Sequence, residues 1–209
     1  MPSNNVEKRE KTLRKIIWYF VKKIQALQAD VVCWPENNFG DDIWIGCVDG
    51  THIRTYEPKD ENFPKNRKAF SYKNHSAGLD YELMLSLYES KCVWMNGPFL
   101  AGENDTSIFG KSGGLAEKLR ELGKKVIADN GYRGYDDVVS RPNSQDSQQV
   151  RDFKTRARQR QESYNGKLKN FGCLDGTFRH GKERFAQCFE AVVAITQLKM
   201  ELAEPVFDI

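Results

Sequence analysis

Two short apolar runs, Ile43-Trp-Ile-Gly-Cys-Val48 and Lys125-Val-Ile-Ala128, each lead directly into an aspartate, Asp49 and Asp129. Runs this short suit buried strands better than packed helices. The first half of the chain continues in the same manner, with strands expected over Ala69–Leu79, Glu82–Tyr88 and Lys91–Met95, and Asn96-Gly-Pro98 ending that series. Thr51–Tyr56 either extends the first strand or returns as a hairpin arm. Helical periodicity takes over later. A helix over Thr106–Leu122 is interrupted by Gly113-Gly114, and long helices follow over Gln149–Phe171 and Glu183–Leu202. Strands first, then helix, strand and helices, imply a mixed sheet flanked by helices, an α/β fold.

Ahead of the sheet, Val6–Gln28 reads as a helix whose Leu13, Ile16, Ile17, Phe20, Val21, Ile24 and Leu27 form an apolar stripe. Turn-prone residues Trp34–Asp42, a polar loop Glu57–Lys68 and a polar connection Ser140–Ser147 separate the elements. The 209 residues suit one domain, and 39% hydrophobic with 11% aromatic content is enough for a core. A mean hydropathy of -0.66 excludes a membrane bundle. The first ten residues lack the apolar centre of a secretory signal, so the expected compartment is intracellular: the nucleus in a eukaryote, otherwise the cytoplasm. Five cysteines, odd in number and without a C-x-x-C pair, read as buried free thiols.

The formal charge of +3 is modest, but it is unevenly spread. Between Arg151 and Arg184 ten cations stand against four carboxylates. Within that segment runs Arg158-Gln-Arg-Gln-Glu162-Ser-Tyr-Asn-Gly-Lys-Leu-Lys169. At ~100° per residue, Arg158, Glu162 and Lys169 fall within roughly 40° of one another. One carboxylate among cations suits a metal ion beside phosphate, the chemistry of a nucleic acid backbone. The competing reading is a solvated helix face.

Two carboxylates at strand ends and one on a helix crossing the sheet would meet at one edge. Such a site can hold two divalent ions about 4 Å apart and clamp the attacking and leaving oxygens of a phosphoryl displacement. The fold that does this is ribonuclease H-like. Each residue also has a local alternative. Asp49-Gly50 between apolar runs is a hairpin signal, Asp129-Asn-Gly131 a turn with a capping Asp, and Glu162 an intrahelical ion-pair partner. One site accounts for all three together. Asp105 is either a further carboxylate near the metals or, within Asn104-Asp105-Thr106, a helix cap. His52 contacts substrate, orients Asp49, or simply sits on a strand surface.

Four ordered blocks carry a family likeness. Gly46-Cys-Val-Asp49-Gly-Thr-His-Ile53, Ala101-Gly-Glu-Asn-Asp105-Thr-Ser-Ile-Phe109, Ile127-Ala-Asp129-Asn-Gly-Tyr132 and Arg158-Gln-Arg-Gln-Glu162-Ser-Tyr-Asn-Gly-Lys-Leu-Lys-Asn-Phe171 resemble the DDE nuclease domain of PIF/Harbinger transposases. The likeness runs from about Trp34 to Glu201. Its Arg-x₃-Glu-x₆-Lys part is also similar to the signature of bacterial insertion-sequence transposases, with Thr155 where a tyrosine is expected.

The resemblance implies that Asp49, Asp129 and Glu162 are the catalytic, metal-binding triad, holding two Mg²⁺ or Mn²⁺ ions. It implies DNA contacts by Arg158 and Lys169, and the expected contact set also takes in Lys167, Arg160 and His52. The expected activity is metal-dependent DNA cleavage, with strand transfer as an extension. The alternative is a non-catalytic, transposase-derived DNA-binding or scaffold protein. Residues 1–33 read as an N-terminal helical segment, 34–203 as the nuclease domain and 204–209 as a tail. The resemblance implies a helix-turn-helix-like region ahead of the nuclease domain, whereas fewer than fifty residues precede Asp49 here; the expectations are a truncated or decayed element copy or reliance on a separate DNA-binding partner, with a second copy of the chain as another candidate partner.

Overall fold

A computed structural model describes residues 4–35, 42–56 and 67–202. Most of the 34–42 turn and the 57–68 loop, and all of the 204–209 tail, lie outside the described residues. The elements in order are α1 (Asn4–Ala26), α2 (Gln28–Val31), β1 (Trp44–Arg54), β2 (Phe70–Ser71), β3 (Ser76–Ser86), β4 (Cys92–Leu100), α3 (Asp105–Phe109), α4 (Leu115–Leu122), β5 (Lys125–Ile127), β6 (Val139–Ser140), α5 (Gln148–Lys169), α6 (Gly172–Asp175) and α7 (Lys182–Leu202). The sheet runs β2-β3-β1-β5-β6, with β4 also on β3. β1 is antiparallel to β3 and parallel to β5, so the sheet is mixed, and helices flank it in a ribonuclease H-like arrangement. No helix among the described residues is long and apolar enough to cross a membrane.

Strand parity decides which residues meet which helices. Cys47, Ile53, Leu79, Tyr81, Leu83 and Ile127 share one core with α5 and α7 residues such as Tyr164, Leu168 and Phe189. Val48, Met84, Val126 and Ala128 share the other with Phe109, Leu115 and Leu119 of α3 and α4, and Ile45 joins them at the register shift that opens β1. Alternation along β1 therefore puts Asp49, like Cys47, on the α5 side, and Gly50 on the α3 side.

Three expectations about strands give way. Asp49-Gly50 makes no turn, and Asp49 is not at a strand end. β1 runs through it, with Asp49 opposite Leu83, Gly50 opposite Glu82 and His52 opposite Asp80. β3 is likewise unbroken at Asp80-Tyr81, because it pairs on both sides and most of its residues are buried. β4 passes through Asn96-Gly-Pro98 by a bulge: Asp80 faces Phe99 and Glu82 faces Asn96, so Tyr81 opposes two residues. Gly97 has φ +150 there, and a Cβ on it would meet the Tyr81 ring at 2.6 Å. β6 went unseen because two residues carry no periodicity.

The thiols also differ from expectation. All five are free, but only Cys47 and Cys92 are buried; Cys33 and Cys173 are exposed and Cys188 is intermediate.

At the α7 layer, Tyr81 stacks on Phe189 with centroids 4.1 Å apart, and its hydroxyl donates to Glu190 Oε1 at 2.9 Å. Gln25 of α1 donates to Oε2 of the same carboxylate at 2.7 Å, while Trp18 sets its edge on His180. These residues help to dock α1, while most of its apolar stripe stays exposed. Truncating the fully buried Phe189 to alanine removes the stack and leaves a cavity, with an expected loss of about 3–5 kcal/mol in urea unfolding.

Candidate active site

The parallel register pairs Cys47 with Ile127 at the last rung of β1 and β5. Two residues further along each strand direction stand Asp49 and Asp129, on the face that α5 covers. α5 reaches across because its inward positions, Lys154, Ala157, Gln161, Tyr164, Asn165 and Leu168, recur at helical spacing. Three of those six are polar, and two of the three serve the site. Thr51 Oγ1 donates to Asn165 Oδ1 at 2.7 Å, and Asn165 Nδ2 donates to Asp49 Oδ2 at 3.1 Å. A relay from strand to helix and back thus orients the first carboxylate. Gln161 accepts from the Cys47 thiol at 3.6 Å, and its buried Nε2 has no protein partner.

A cavity of about 130 Å³ is lined by Cys47, Val48, Asp49, Lys73, Asp129, Arg158, Gln161 and Glu162. Asp49, Asp129, Glu162 and Arg158, named from the sequence, therefore meet around one space. Asp129 does double duty, since its Oδ1 also accepts from the Gly131 amide at 2.7 Å, the local turn read as its alternative. Asp105 joins from the opposite side. A Cβ on Gly50 would lie 2.7 Å from Asp105 Oδ1, and one on Gly131 would lie 3.4 Å from Asp105 Oδ2 and 2.8 Å from Asp129 Oδ1. The bare Gly50 is what lets α3 bring this carboxylate up to β1. The capping alternative belongs to Asn104, whose side chain accepts from the Ser107 amide at 2.7 Å.

The other residues named as DNA contacts disperse. Lys169 and His52 line adjoining clefts with Asn74, one of which also includes Gly50 and Asp105. His52 is held between Asp80 Oδ1 at 2.7 Å and Ser76 Oγ at 2.9 Å. Lys167 lines a separate cavity with Lys199 and Met200, because it lies on another side of α5. Arg160 does not line the carboxylate cavity, though its charge reaches the buried Cys47 thiol. Lys154 faces inward: it is buried, bonded to Asp146 at 2.8 Å and to the Arg141 carbonyl at 3.0 Å, and lies over the Trp44 ring. Part of the basic excess therefore holds the 141–147 connection against α5.

Electrostatics at the site are strained by crowding. Burial, then the charges of Asp105 and Asp129, push the Asp49 carboxyl up to about 6. Asp105 is also raised, chiefly by burial, against the relief from Lys73, whose Nζ lies 3.9 Å from its Oδ2. Glu82, a residue the sequence did not single out, is 2% exposed. Trp94 Nε1 donates to its Oε1 at 3.0 Å, its Oε2 has no partner, and burial pushes its carboxyl up to about 7. Buried Tyr132 feels the charges of Glu82, Asp105, Asp49 and Asp129 together. Lys73 and Glu82 gave no sequence signal, whereas Asn165 and Gln161 lay inside the quoted helix block beside Glu162.

Among the described residues, no three histidine, cysteine or acidic side chains converge closely enough to form a ready-made metal cage. The donor set nevertheless suits a hard cation: carboxylates crowd one another, one exposed lysine offsets them, and Glu162 faces them across the cavity.

Residues 48–197 match the profile of the DDE superfamily endonuclease family, and the chain belongs to that family. No curated protein and no solved structure matches it.

Because its folded pKa is raised, Glu82 contributes stability that is fully present below its ordinary value of 4.5 and is lost as pH rises through about 7. Thermal midpoints taken at about pH 5 and about pH 8 should therefore differ less in Glu82→Gln than in the wild type, by the equivalent of roughly 2–3 kcal/mol.

Proposed function

We propose that the chain is a divalent-metal-dependent DNA endonuclease of PIF/Harbinger type, cleaving phosphodiester bonds at the cavity between β1, β5 and α5. The observation that carries this reading is the meeting of Asp49, Asp129, Glu162 and Arg158 around one cavity. Family membership supports phosphodiester hydrolysis as the reaction class and DNA as the substrate. The four ordered sequence blocks support the subtype.

In this reading Asp49, Asp129 and Glu162 hold the metal, two Mg²⁺ or Mn²⁺ ions, with Asp105 alongside. Bound there, the metal would supply activation of a water, or of a freed 3′-hydroxyl in strand transfer, and neutralisation of charge on the scissile phosphate. The protein's own residues supply placement. Asn165, itself fixed by Thr51, holds Asp49 Oδ2 and so sets the orientation of that carboxylate. Arg158 offers a planar fork and Lys73 a point charge to phosphate oxygens at the cavity mouth. Gln161 Nε2 offers a buried donor. Lys169 and His52, in the adjoining clefts, extend the same contact along the strand.

The second reading, a DNA-binding protein without cleavage, draws on the lack of a closed three-ligand cage among the described residues. A nicking assay on supercoiled DNA with Mn²⁺ or Mg²⁺ separates the two. Glu162→Gln and Asp49→Asn are each expected to cut the nicking rate at least about a hundredfold while DNA affinity changes little. Nicking that survives both substitutions, or is absent from the wild type at every metal concentration, defeats the enzyme reading. Asn165→Ala is expected to lower the rate roughly 10–100-fold through the loosened Asp49, with a matching fall in Mn²⁺ affinity by calorimetry.

A further inference from the structure

Much of the apolar stripe of α1, continued by Leu27 just past its last residue, is left over by the fold, while Val21 and Ile24 within it are half-buried. Leu13 is 57% exposed, Ile17 50%, Phe20 57% and Leu27 45%, with Ile16 beside them at 47%. An exposed apolar surface of this extent is uncommon on a soluble domain and marks a place where something binds. The helix is nonetheless anchored, by Trp18 against His180 and Arg184 and by Gln25 on Glu190. Anchoring through one face presents the neighbouring face already formed.

The spacing of that face identifies the shape it accepts. Leu13, Ile17, Phe20, Ile24 and Leu27 are separated by 4, 3, 4 and 3 residues, the repeat of a coiled-coil seam. A seam of knobs at this period is complementary to another helix. Charge identifies the chemistry of the partner. Over Asn4–Ala26 seven cations stand against two carboxylates, and Arg9, Arg14 and Lys23, all exposed, occupy three of the positions that flank the seam, with Ile16 and Val21 at two others. A second copy of the chain brings the same cationic excess, and a parallel pair would set Arg9 against Arg14 across the seam. Acidic flanks resolve both conflicts.

We propose that α1 is a docking helix that receives an acidic amphipathic helix of another protein, pairing Leu13, Ile17, Phe20, Ile24 and Leu27 with the partner's apolar seam. The proposal is independent of cleavage at the carboxylate cavity.

The test uses the full chain and two synthetic three-heptad peptides with the same Ile/Leu seam, one flanked by glutamates and one by lysines, followed by fluorescence anisotropy. The acidic peptide should bind at least about tenfold more tightly, with the advantage shrinking between about 50 and about 300 mM NaCl. Phe20→Glu should abolish binding. Arg14→Glu combined with Lys23→Glu leaves the seam intact and should reverse the preference toward the lysine peptide, so the test stands even if Phe20→Glu is poorly folded. Equal binding of both peptides, or binding of neither, overturns the proposal. So does self-association in sedimentation velocity, or capture by phosphatidylserine-containing vesicles, that the Arg14/Lys23 reversal or Phe20→Glu removes.

Discussion

The short parallel ladder between β1 and β5 sets the geometry on which the site depends. Pairing Cys47 with Ile127 places Asp49 and Asp129 at equivalent positions beyond the last rung and on the same face. A slip of one residue would send one carboxylate into the α3 core and leave the other alone. The register is held by what lies behind it. Cys47 and Ile127 are buried in one core, Val48, Val126 and Ala128 in the other, and neither set tolerates exchange of faces.

Bringing desolvated carboxylates together is unfavourable without a cation, and the protein meets that cost with dispersed polar contacts. Asn165 fixes one oxygen of Asp49, the Gly131 amide binds Asp129, and Lys73 approaches Asp105. None of these offsets the burial of the two carboxylates or fully removes their repulsion, which is why Asp49 and Asp105 both resist ionisation. The polar inner face of α5 follows from the same demand. A helix that only filled space would carry apolar residues where Gln161 and Asn165 stand.

Much of the fold was legible because its signals are local. Helices α5 and α7 were marked by periodicity and β5 by a short apolar run, each within a residue or two of its observed bounds. Asp49, Asp129, Glu162 and Arg158 could be named from residue type and setting. Asp49-Gly50, in contrast, carried a sound turn signal that failed, because β3 offers a continuous partner for residues on both sides of it. Lys154 and Lys167 both belong to the basic excess of residues 151–184, but helix rotation turns the first into the core and the second toward α7. Glu82 was invisible because a lone glutamate in a strand says nothing until the other face is built over it.

What the sequence determined by itself was the inventory: short strands, long helices, acidic residues placed next to apolar runs, and a basic helix carrying one glutamate. These depend on neighbours a few residues away, where propensity and periodicity act. Only the tertiary structure decided which carboxylates share a cavity, which cations face it, that Asp105 reaches β1 across Gly50, and that most of the apolar stripe of α1 remains uncovered. Those outcomes rest on contacts between residues far apart in the chain, such as Asp49 with Asn165 and Gln25 with Glu190, which register and packing bring together.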